Sequence, residues 1–170
     1  MGTKVGKIKF SELTRVQIPA VMHLIRLGYT FLSRKSKEIL ERDPETNILV
    51  SVFREQFLKI NNYAQDKDFE DELNNIKLEL NQNDLGRSFY KRIQGEEGEF
   101  IYIDWENLEA NTFHVAMEVT CQNGSEEFRP DIMIFINGLP LSYIEVKQPD
   151  VIRDGKTGIQ SEQDRVRYRF

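Results

Sequence analysis

Cysteine is almost absent from this sequence, which has Cys121 as its single thiol in 170 residues. One thiol excludes an internal disulfide framework and a cysteine-rich zinc site, and it favours a reducing compartment. Long apolar runs are also missing, since none approaches the roughly 18 residues that a membrane-spanning helix requires. The N-terminus lacks the charged and then apolar pattern of a signal peptide. We therefore expect a cytoplasmic protein with no membrane partner.

Positive charge is scarce as well. The chain has 23 lysines and arginines against 28 acidic residues and a net charge of -5, so no overall positive field attracts nucleic acid. A local groove can still be basic. We identify one locally basic region, which comprises Arg153, Lys156, Arg165, Arg167 and Arg169. These side chains either contact DNA phosphates or form a solvated helix face, and both interpretations fit the sequence.

Periodicity predicts three helices in the first half of the chain. The first covers residues 14–27, with Pro19 in its first turn, where a missing N–H does no harm, and Gly28 at its end. Residues 48–60 form a second amphipathic pattern. Residues 66–80 form a third, and its remaining face is mostly charged or amide-bearing, so we expect that face to be solvated.

The second half of the chain is typical of β-strands. Short aromatic or β-branched runs predict strands at residues 100–103, 113–119, 131–136 and 141–147. The last two runs are apolar on both faces, as in a sheet that is covered on both sides. We therefore predict an α/β sandwich with a mixed central sheet of about four or five strands and helices on both sides.

We interpret residues 1–170 as one domain. Its helical part covers about 47–94 and its catalytic sheet about 100–150. The polar stretch at residues 159–170 has helical spacing and ends without a cap. We therefore expect the sequence to be a fragment of a longer chain.

Two short segments on neighbouring predicted strands carry the residues with catalytic potential. Asp131 follows a proline, and Glu145 and Lys147 stand two positions apart on the next strand. Cations such as Mg²⁺ prefer oxygen ligands, usually one or two carboxylates with substrate phosphate and water. A lysine beside them can orient the attacking water and help to deprotonate it. The trio can therefore hold a divalent metal ion beside a phosphodiester.

The loop between these strands decides whether the two carboxylates meet. A two-residue turn would pair Ile136 with Leu139 and place Ile144 opposite Asp131. Since successive side chains alternate between faces, that register would send Glu145 to the other face and scatter the site.

A three-residue loop at residues 137–139 would instead oppose Asp131 to Glu145, with Cβ atoms about 4.5–5.5 Å apart, and would keep Lys147 on the same face. Its other pairs would be Ile136–Pro140, Phe135–Leu141 and Met133–Tyr143. We predict this loop, with Gly138 or its neighbour in a left-handed bulge conformation.

The strings around these residues resemble the nuclease domain at the N-terminus of the R (HsdR) subunit of type I restriction enzymes, within the PD-(D/E)xK nuclease group. They are Arg129-Pro130-Asp131-Ile132, Asn137-Gly138-Leu139-Pro140-Leu141 and Ile144-Glu145-Val146-Lys147-Gln148-Pro149. The last quarter of the chain matches closely, and residues 13–29 match more faintly. The resemblance implies a restriction-endonuclease-like three-layer sandwich.

The resemblance also implies roles for individual residues. Asp131 and Glu145 are then metal ligands, and Lys147 is the catalytic amine. Mg²⁺ is the implied cofactor, and Mn²⁺ can substitute for it.

Accessory positions are less well matched. The family often has a glutamate on the opening helix, where this chain offers Glu12 and Gln17. It also often has a Gln-x-x-x-Tyr pattern after the lysine strand. Here Gln163 and Tyr168 are the candidates, although their spacing is one residue longer, and Gln160 is a second starting point.

The implied activity is metal-dependent hydrolysis of phosphodiester bonds in double-stranded DNA. The resemblance places an ATP-dependent translocase C-terminal to the nuclease, so ATP belongs to the full-length subunit. No G-x-x-x-x-G-K-[ST] phosphate-binding loop occurs in this sequence. The implied partners are DNA and the methylation and specificity subunits of the restriction complex.

Other interpretations stay open. The trio could be a structural salt link between a lysine and two carboxylates. The domain could be a non-catalytic docking module of the restriction complex, or a stand-alone recombination or repair nuclease with the same fold. His23 and His114 are more simply explained as structural histidines.

Overall fold

The computed structural model describes residues 13–123, 126–147, 152–153, 156–157 and 160. Its helices are α1 Ile18–Arg26, α2 Lys37–Leu40, α3 Val50–Ile60, α4 Asp66–Leu80 and α5 Arg87–Ile93. Its strands are β1 Thr30–Leu32, β2 Phe113–Met117, β3 Cys121–Asn123, β4 Glu126–Phe128, β5 Ile132–Ile136, β6 Leu139–Ile144, β7 Ile152–Arg153 and β8 Lys156–Thr157. A π-helical turn, Leu13–Gln17, precedes α1. The described helices are too short or too polar to cross a bilayer.

Four strands of the described chain form a mixed sheet in the order β1-β2-β5-β6. β1 runs parallel to β2, and the other neighbours are antiparallel. The C-terminal ends of β1, β2 and β6 therefore lie beside the start of β5, which Asp131 precedes. We call this end of the sheet the Asp131 edge. The prediction of an α/β fold with a mixed sheet of about four or five strands is confirmed.

Both faces of the sheet carry apolar clusters. Val115 of β2 packs with Val21 of α1, whereas Ala116, the next residue, packs with Ile39 of α2 and with Leu49. Successive side chains of a strand point to opposite faces, so α1 covers one face and α2 with the segment before α3 covers the other.

The helices α3, α4 and α5 pack around the turn end of the β5–β6 hairpin. Their cluster contains Phe53, Phe69, Ile76 and Ile93 together with Leu139 of β6. Phe53 and Phe69 meet edge to face with ring centroids 5.4 Å apart, a favoured aromatic geometry. This helical part therefore lies at the end of the hairpin opposite the Asp131 edge.

The first helix begins and ends much as its sequence predicts. Pro19 lies in the first turn of α1. At the other end Gly28 has a φ of 101° and donates its N–H to the carbonyl of Ile25 (3.0 Å). The Tyr29 N–H bonds to the carbonyl of Leu24 (3.1 Å). A left-handed residue with such paired bonds satisfies the last helical carbonyls and stops the helix.

The predicted strand at residues 100–103 is wrong. Its backbone groups bond to asparagine side chains instead of a neighbouring strand. The Asn61 amide donates to the carbonyl of Ile101 (2.8 Å) and accepts its N–H (2.9 Å), and the Asn137 amide donates to the carbonyl of Tyr102 (2.8 Å). Tyr102 and Ile103 are therefore buried without joining the sheet, because side chains satisfy the polar groups of this segment.

Two helix predictions need smaller corrections. The second helix begins at Val50, because the N–H of Leu49 bonds to the carbonyl of Gly138 (2.9 Å) on the hairpin turn. The third helix has the predicted bounds, but its charged face is not wholly solvated. Glu72, at the margin of the apolar stripe between Phe69 and Ile76, is buried and forms an ion pair with Arg92 of α5 (3.0 Å).

Candidate functional site

The turn of the β5–β6 hairpin differs from the prediction. Ile136 pairs with Leu139 across the two residues Asn137 and Gly138. The three-residue loop is therefore wrong, and so are two of its pairs, Ile136–Pro140 and Phe135–Leu141. Asn137 and Gly138 have φ values of 50° and 84°, which a two-residue turn of this kind requires. The left-handed conformation predicted at Gly138 is confirmed, but it belongs to the turn and not to a bulge.

A bulge in β6 then restores the register that was predicted for the site. The shift lies between the pairs Phe135–Pro140 and Ile134–Ser142, so Leu141 is the extra residue. The following pairs are Met133–Tyr143, as predicted, and Ile132–Ile144. Asp131 and Glu145 come one position beyond the last pair on neighbouring strands. Ile144, which the two-residue turn alone would have set opposite Asp131, pairs with Ile132 instead.

Asp131 is held by groups from three separate elements. Its Oδ1 accepts a hydrogen bond from Nε2 of Gln17 (2.7 Å), in the turn that precedes α1. Its Oδ2 accepts the N–H of Val146 (2.8 Å), just after β6. Its carbonyl oxygen accepts the N–H of Glu118 (3.1 Å), just after β2. The carboxylate therefore has a defined orientation before any ligand arrives.

Gln17 is the opening-helix residue that the structure places at Asp131. Gln17 is only 5% exposed, and its Oε1 is buried without a hydrogen-bond partner in the described structure. Buried amide oxygens normally find a donor. This one lies in the same amide group as the Nε2 that binds Asp131, so an oxygen with an unused lone pair stands next to the carboxylate.

Glu145 and Lys147 stand side by side after β6. The Nζ of Lys147 lies 3.6 Å from Oε2 of Glu145, and both side chains are mostly buried. Val146 between them is buried at 7% exposure, in keeping with side chains that alternate along an extended segment. The structure thus brings Gln17, Asp131, Glu145 and Lys147 to one end of the sheet.

The candidate metal ligands are two carboxylates, Asp131 and Glu145. Across the residues that the structure describes, no group of three or more His, Cys, Asp or Glu side chains is placed to hold a metal ion. A carboxylate pair is nevertheless sufficient for Mg²⁺, which usually keeps water and substrate phosphate among its ligands.

The remaining predicted residues stay untested. Glu12, Gln163, Tyr168, Arg165 and Arg167 lie outside the described residues, as does Arg169. Arg153 and Lys156 pair with each other in the short strands β7 and β8. Their proposed contacts with DNA therefore stay predictions.

The sequence analysis missed a second basic segment. Arg34, Lys35 and Lys37 follow β1 within five positions and are exposed, so the assignment of one basic region to residues 153–169 was incomplete. The clustering of three cations was a usable signal. Glu118 was also missed, because its proximity to Asp131 arises only when β2 and β5 pair.

Comparison with known proteins agrees with these observations. The sequence profile of a family described as type I restriction enzyme R protein N terminus (HSDR_N) matches residues 9–168. Two proteins of Methanocaldococcus jannaschii, provisionally named type I restriction enzyme MjaVIIP and MjaIXP endonuclease subunits, are similar over shorter stretches. The first is 39% identical over 54 residues, which are 32% of this chain and 5% of that protein.

The second relative is 32% identical over 96 residues, which are 50% of this chain and 8% of that protein. The matched stretches are thus a small part of either relative. The family profile, in contrast, spans almost the whole of this chain, from the turn region before α1 to the residues beyond β8. The chain belongs to the family of type I restriction enzyme R protein N-termini.

Proposed function

We propose that this chain is the nuclease domain of a type I restriction enzyme R subunit and hydrolyses phosphodiester bonds of double-stranded DNA with the help of a divalent metal ion. The observation that carries the proposal is the carboxylate of Asp131, which Gln17 and the N–H of Val146 hold in place, with Glu145 and Lys147 on either side of Val146. We further propose one domain over residues 1–170 with a restriction-endonuclease-like three-layer fold. The apolar clusters on both faces of the sheet support that architecture.

The residues at the Asp131 edge suit a hard cation. Each oxygen of Asp131 accepts one described hydrogen bond and retains a second lone pair. Glu145 adds a second carboxylate, and Gln17 adds a buried amide oxygen without a partner. An all-oxygen set of this kind favours Mg²⁺, with Mn²⁺ as a substitute, over metals that prefer sulfur or nitrogen.

When bound, such an ion polarises the scissile phosphate and lowers the pKa of a coordinated water. The chain's own contribution is orientation. Gln17 and the N–H of Val146 fix the Asp131 carboxylate, so it needs no reorganisation during the reaction. Lys147 orients the attacking water and offsets the negative charge that develops on the phosphate, and Glu145 holds its ammonium group nearby. ATP-driven translocation and the methylation and specificity subunits belong to the proposed full-length assembly.

Thermal melting in a titration with Mg²⁺ or Mn²⁺ tests the metal site. The ion should stabilise the wild-type chain by mass action, by about 2.7 kcal/mol at 100 times its Kd, which is roughly 5–10 °C for a domain of this size. Asp131→Asn should lose most of this shift, because it removes a ligand charge while keeping the side-chain shape. Equal shifts in both proteins would contradict the metal site and favour the docking module.

Two further variants sharpen the test. Asp71→Asn makes the same change at an exposed position of α4, so it should keep the full metal shift. Lys147→Met should also keep the metal-dependent shift, because Lys147 is not a metal ligand. It should abolish cleavage of duplex DNA, because it removes the ammonium group that orients the attacking water. Cleavage that persists in Lys147→Met would refute the role given to this lysine.

A further inference from the structure

A basic loop follows β1 at the Asp131 edge. β1 ends at Leu32, which pairs with Ala116 of the parallel strand β2. Two residues later the guanidinium of Arg34 lies 3.5 Å from Oε2 of Glu118. Lys35 and Lys37 follow, and all three cationic side chains are exposed. We call Arg34, Lys35 and Lys37 the β1 loop cations.

Glu118 connects this loop to the candidate catalytic residue. Its N–H bonds to the carbonyl of Asp131 (3.1 Å) while its carboxylate pairs with Arg34. Its φ of 50° is left-handed, a conformation that costs a residue with a side chain about 1–3 kcal/mol and is often found at functional sites. One residue thus touches both the backbone of Asp131 and the first of the loop cations.

The acidic partners of these cations are weakly bound. Arg34 pairs with Glu118 at side-chain exposures of 59% and 34%, and Lys37 pairs with Glu41 at 3.8 Å with side-chain exposures of 77% and 59%. Ion pairs open to solvent contribute little free energy, because water and salt screen them. A polyanion with closely spaced phosphates can therefore displace Glu118 and Glu41. Because the chain as a whole carries a net charge of -5, it does not attract DNA by its overall charge. A local group of cations near the candidate carboxylates is therefore a candidate DNA contact.

We propose that the β1 loop cations bind the phosphodiester backbone of duplex DNA and hold it across the Asp131 edge. This inference rests on the proposed nuclease function, and it names the surface that delivers the substrate to the carboxylates. Contacts of this kind position DNA and carry no sequence information. Glu118 occupies Arg34 while DNA is absent and releases it when a phosphate arrives.

Fluorescence anisotropy with a labelled DNA duplex of 20 base pairs in EDTA measures binding without cleavage. The triple variant Arg34→Ala, Lys35→Ala and Lys37→Ala should bind about tenfold or more weakly at moderate salt. Each phosphate contact contributes about 0.9 to the slope of log affinity against log salt concentration. The slope should therefore become smaller by about 2 to 3.

The matched control removes three exposed cations from the helical part, in the variant Lys59→Ala, Lys67→Ala and Arg87→Ala. Both variants change the net charge by the same amount. A difference between their DNA affinities therefore depends on where the cations lie and not on how many are removed. The control should bind DNA almost as well as the wild type. Equal losses in the two variants, an unchanged salt slope in the β1 loop variant, or a wild-type chain that does not bind duplex DNA even at low salt would overturn the proposal.

Glu118→Gln provides an independent measurement. Removing the negative charge that competes with phosphate for Arg34 should tighten DNA binding severalfold. This gain should shrink in the Arg34→Ala background, because the effects of residues in direct contact are not additive. The same gain with and without Arg34 would contradict the displacement of Glu118 by phosphate.

The outcomes separate this inference from the proposed function. A metal shift that Asp131→Asn abolishes, together with normal DNA binding by the β1 loop variant, leaves the nuclease proposal standing and overturns the inference. Weakened DNA binding by the loop variant, with no metal shift in the wild type, supports the DNA surface and contradicts the metal site.

Discussion

His114 lies on β2 between Thr30 of β1 and Phe135 of β5. Its Nδ1 is buried and has no hydrogen-bond partner among the described residues. Burial lowers the pKa of this imidazole, and the charge of Glu38 opposes the shift only in part. The folded protein therefore keeps the ring neutral at pH values where the unfolded chain, with a pKa near the ordinary histidine value, takes up a proton.

This difference predicts a pH-dependent stability. The unfolded state binds more protons below a pH of about 6.5, so the free energy of unfolding should fall as the pH decreases from about 7.5 to about 5.5. His114→Phe should lose this part of the pH dependence, because phenylalanine has no proton to bind. Urea denaturation at several pH values measures it. The same substitution at the exposed His23 should leave the dependence in place, and an unchanged profile in His114→Phe would exclude this residue as its source.

Single residues also show which parts of the site the sequence can reveal. Asp131, Glu145 and Lys147 are recognisable because the spacing of a motif along the chain is a local property. Gln17 is 114 positions from Asp131, and no local pattern connects the two. The contact of Glu118 with Asp131 likewise exists only because β2 and β5 are neighbours. Motifs can therefore identify reactive groups, while the groups that hold them must be read from the fold.

At the scale of elements, the β5–β6 hairpin combines two features that sequence reasoning treated as alternatives. An Asn-Gly pair is the strongest local signal for a two-residue turn, and Asn137-Gly138 forms such a turn. The requirement that Asp131 and Glu145 be neighbours argued for a longer loop. The bulge at Leu141 satisfies both, because one extra residue shifts every later side chain of β6 by one position.

The turn is also tightly enclosed, which makes Gly138 sensitive to substitution. Its φ is 84°, and an added Cβ would lie 2.7 Å from the backbone N of Phe53 and 2.8 Å from the carbonyl oxygen of Leu49. Left-handed strain and the clash with a helix backbone should together make Gly138→Ala cost about 2–5 kcal/mol. Urea denaturation measures this loss.

Gly95 is the matched control for that prediction. It has a similar φ of 75°, but an added Cβ would meet no atom within 4 Å. Gly95→Ala should therefore cost only the backbone strain, about 1–2 kcal/mol. Equal losses of stability at Gly95 and Gly138 would show that the clash of the added Cβ with the backbone of α3 contributes nothing to the cost of Gly138→Ala.

At the scale of the whole molecule, a buried ionic network joins the helical part to the rest of the chain. Arg92 of α5 donates to Glu72 (3.0 Å) and to Glu79 (2.8 Å), both on α4. Glu72 also accepts the hydroxyl of the buried Tyr102, which lies in the segment bound by Asn137. The hydrogen bonds that Arg92 donates to Glu79 raise the pKa of its guanidinium, although burial opposes this. The network therefore depends on one permanently charged guanidinium.

Arg92→Met should destabilise the protein by about 3–5 kcal/mol, because it leaves the buried carboxylate of Glu72 and the largely buried one of Glu79 without their cation. Arg54→Met is the control. It removes a cation that pairs with Asp66 at side-chain exposures of 47% and 64%, and pairs exposed to that extent contribute about 0–1 kcal/mol. Chemical denaturation of both variants gives the comparison. A small loss in Arg92→Met would mean that the helices hold together by apolar packing alone.

The sequence by itself determined the helices with a clear apolar period, the strands β2, β5 and β6, the family resemblance and the candidate trio Asp131, Glu145 and Lys147, because periodicity and motif spacing are local properties of the chain. The tertiary structure decided the rest. It placed the segment around Tyr102 outside the sheet, put Gln17 and Glu118 on Asp131, and brought the β1 loop cations to the same edge. Each of these depends on hydrogen bonds and ion pairs between groups far apart in sequence, whose partners are chosen only when the layers pack.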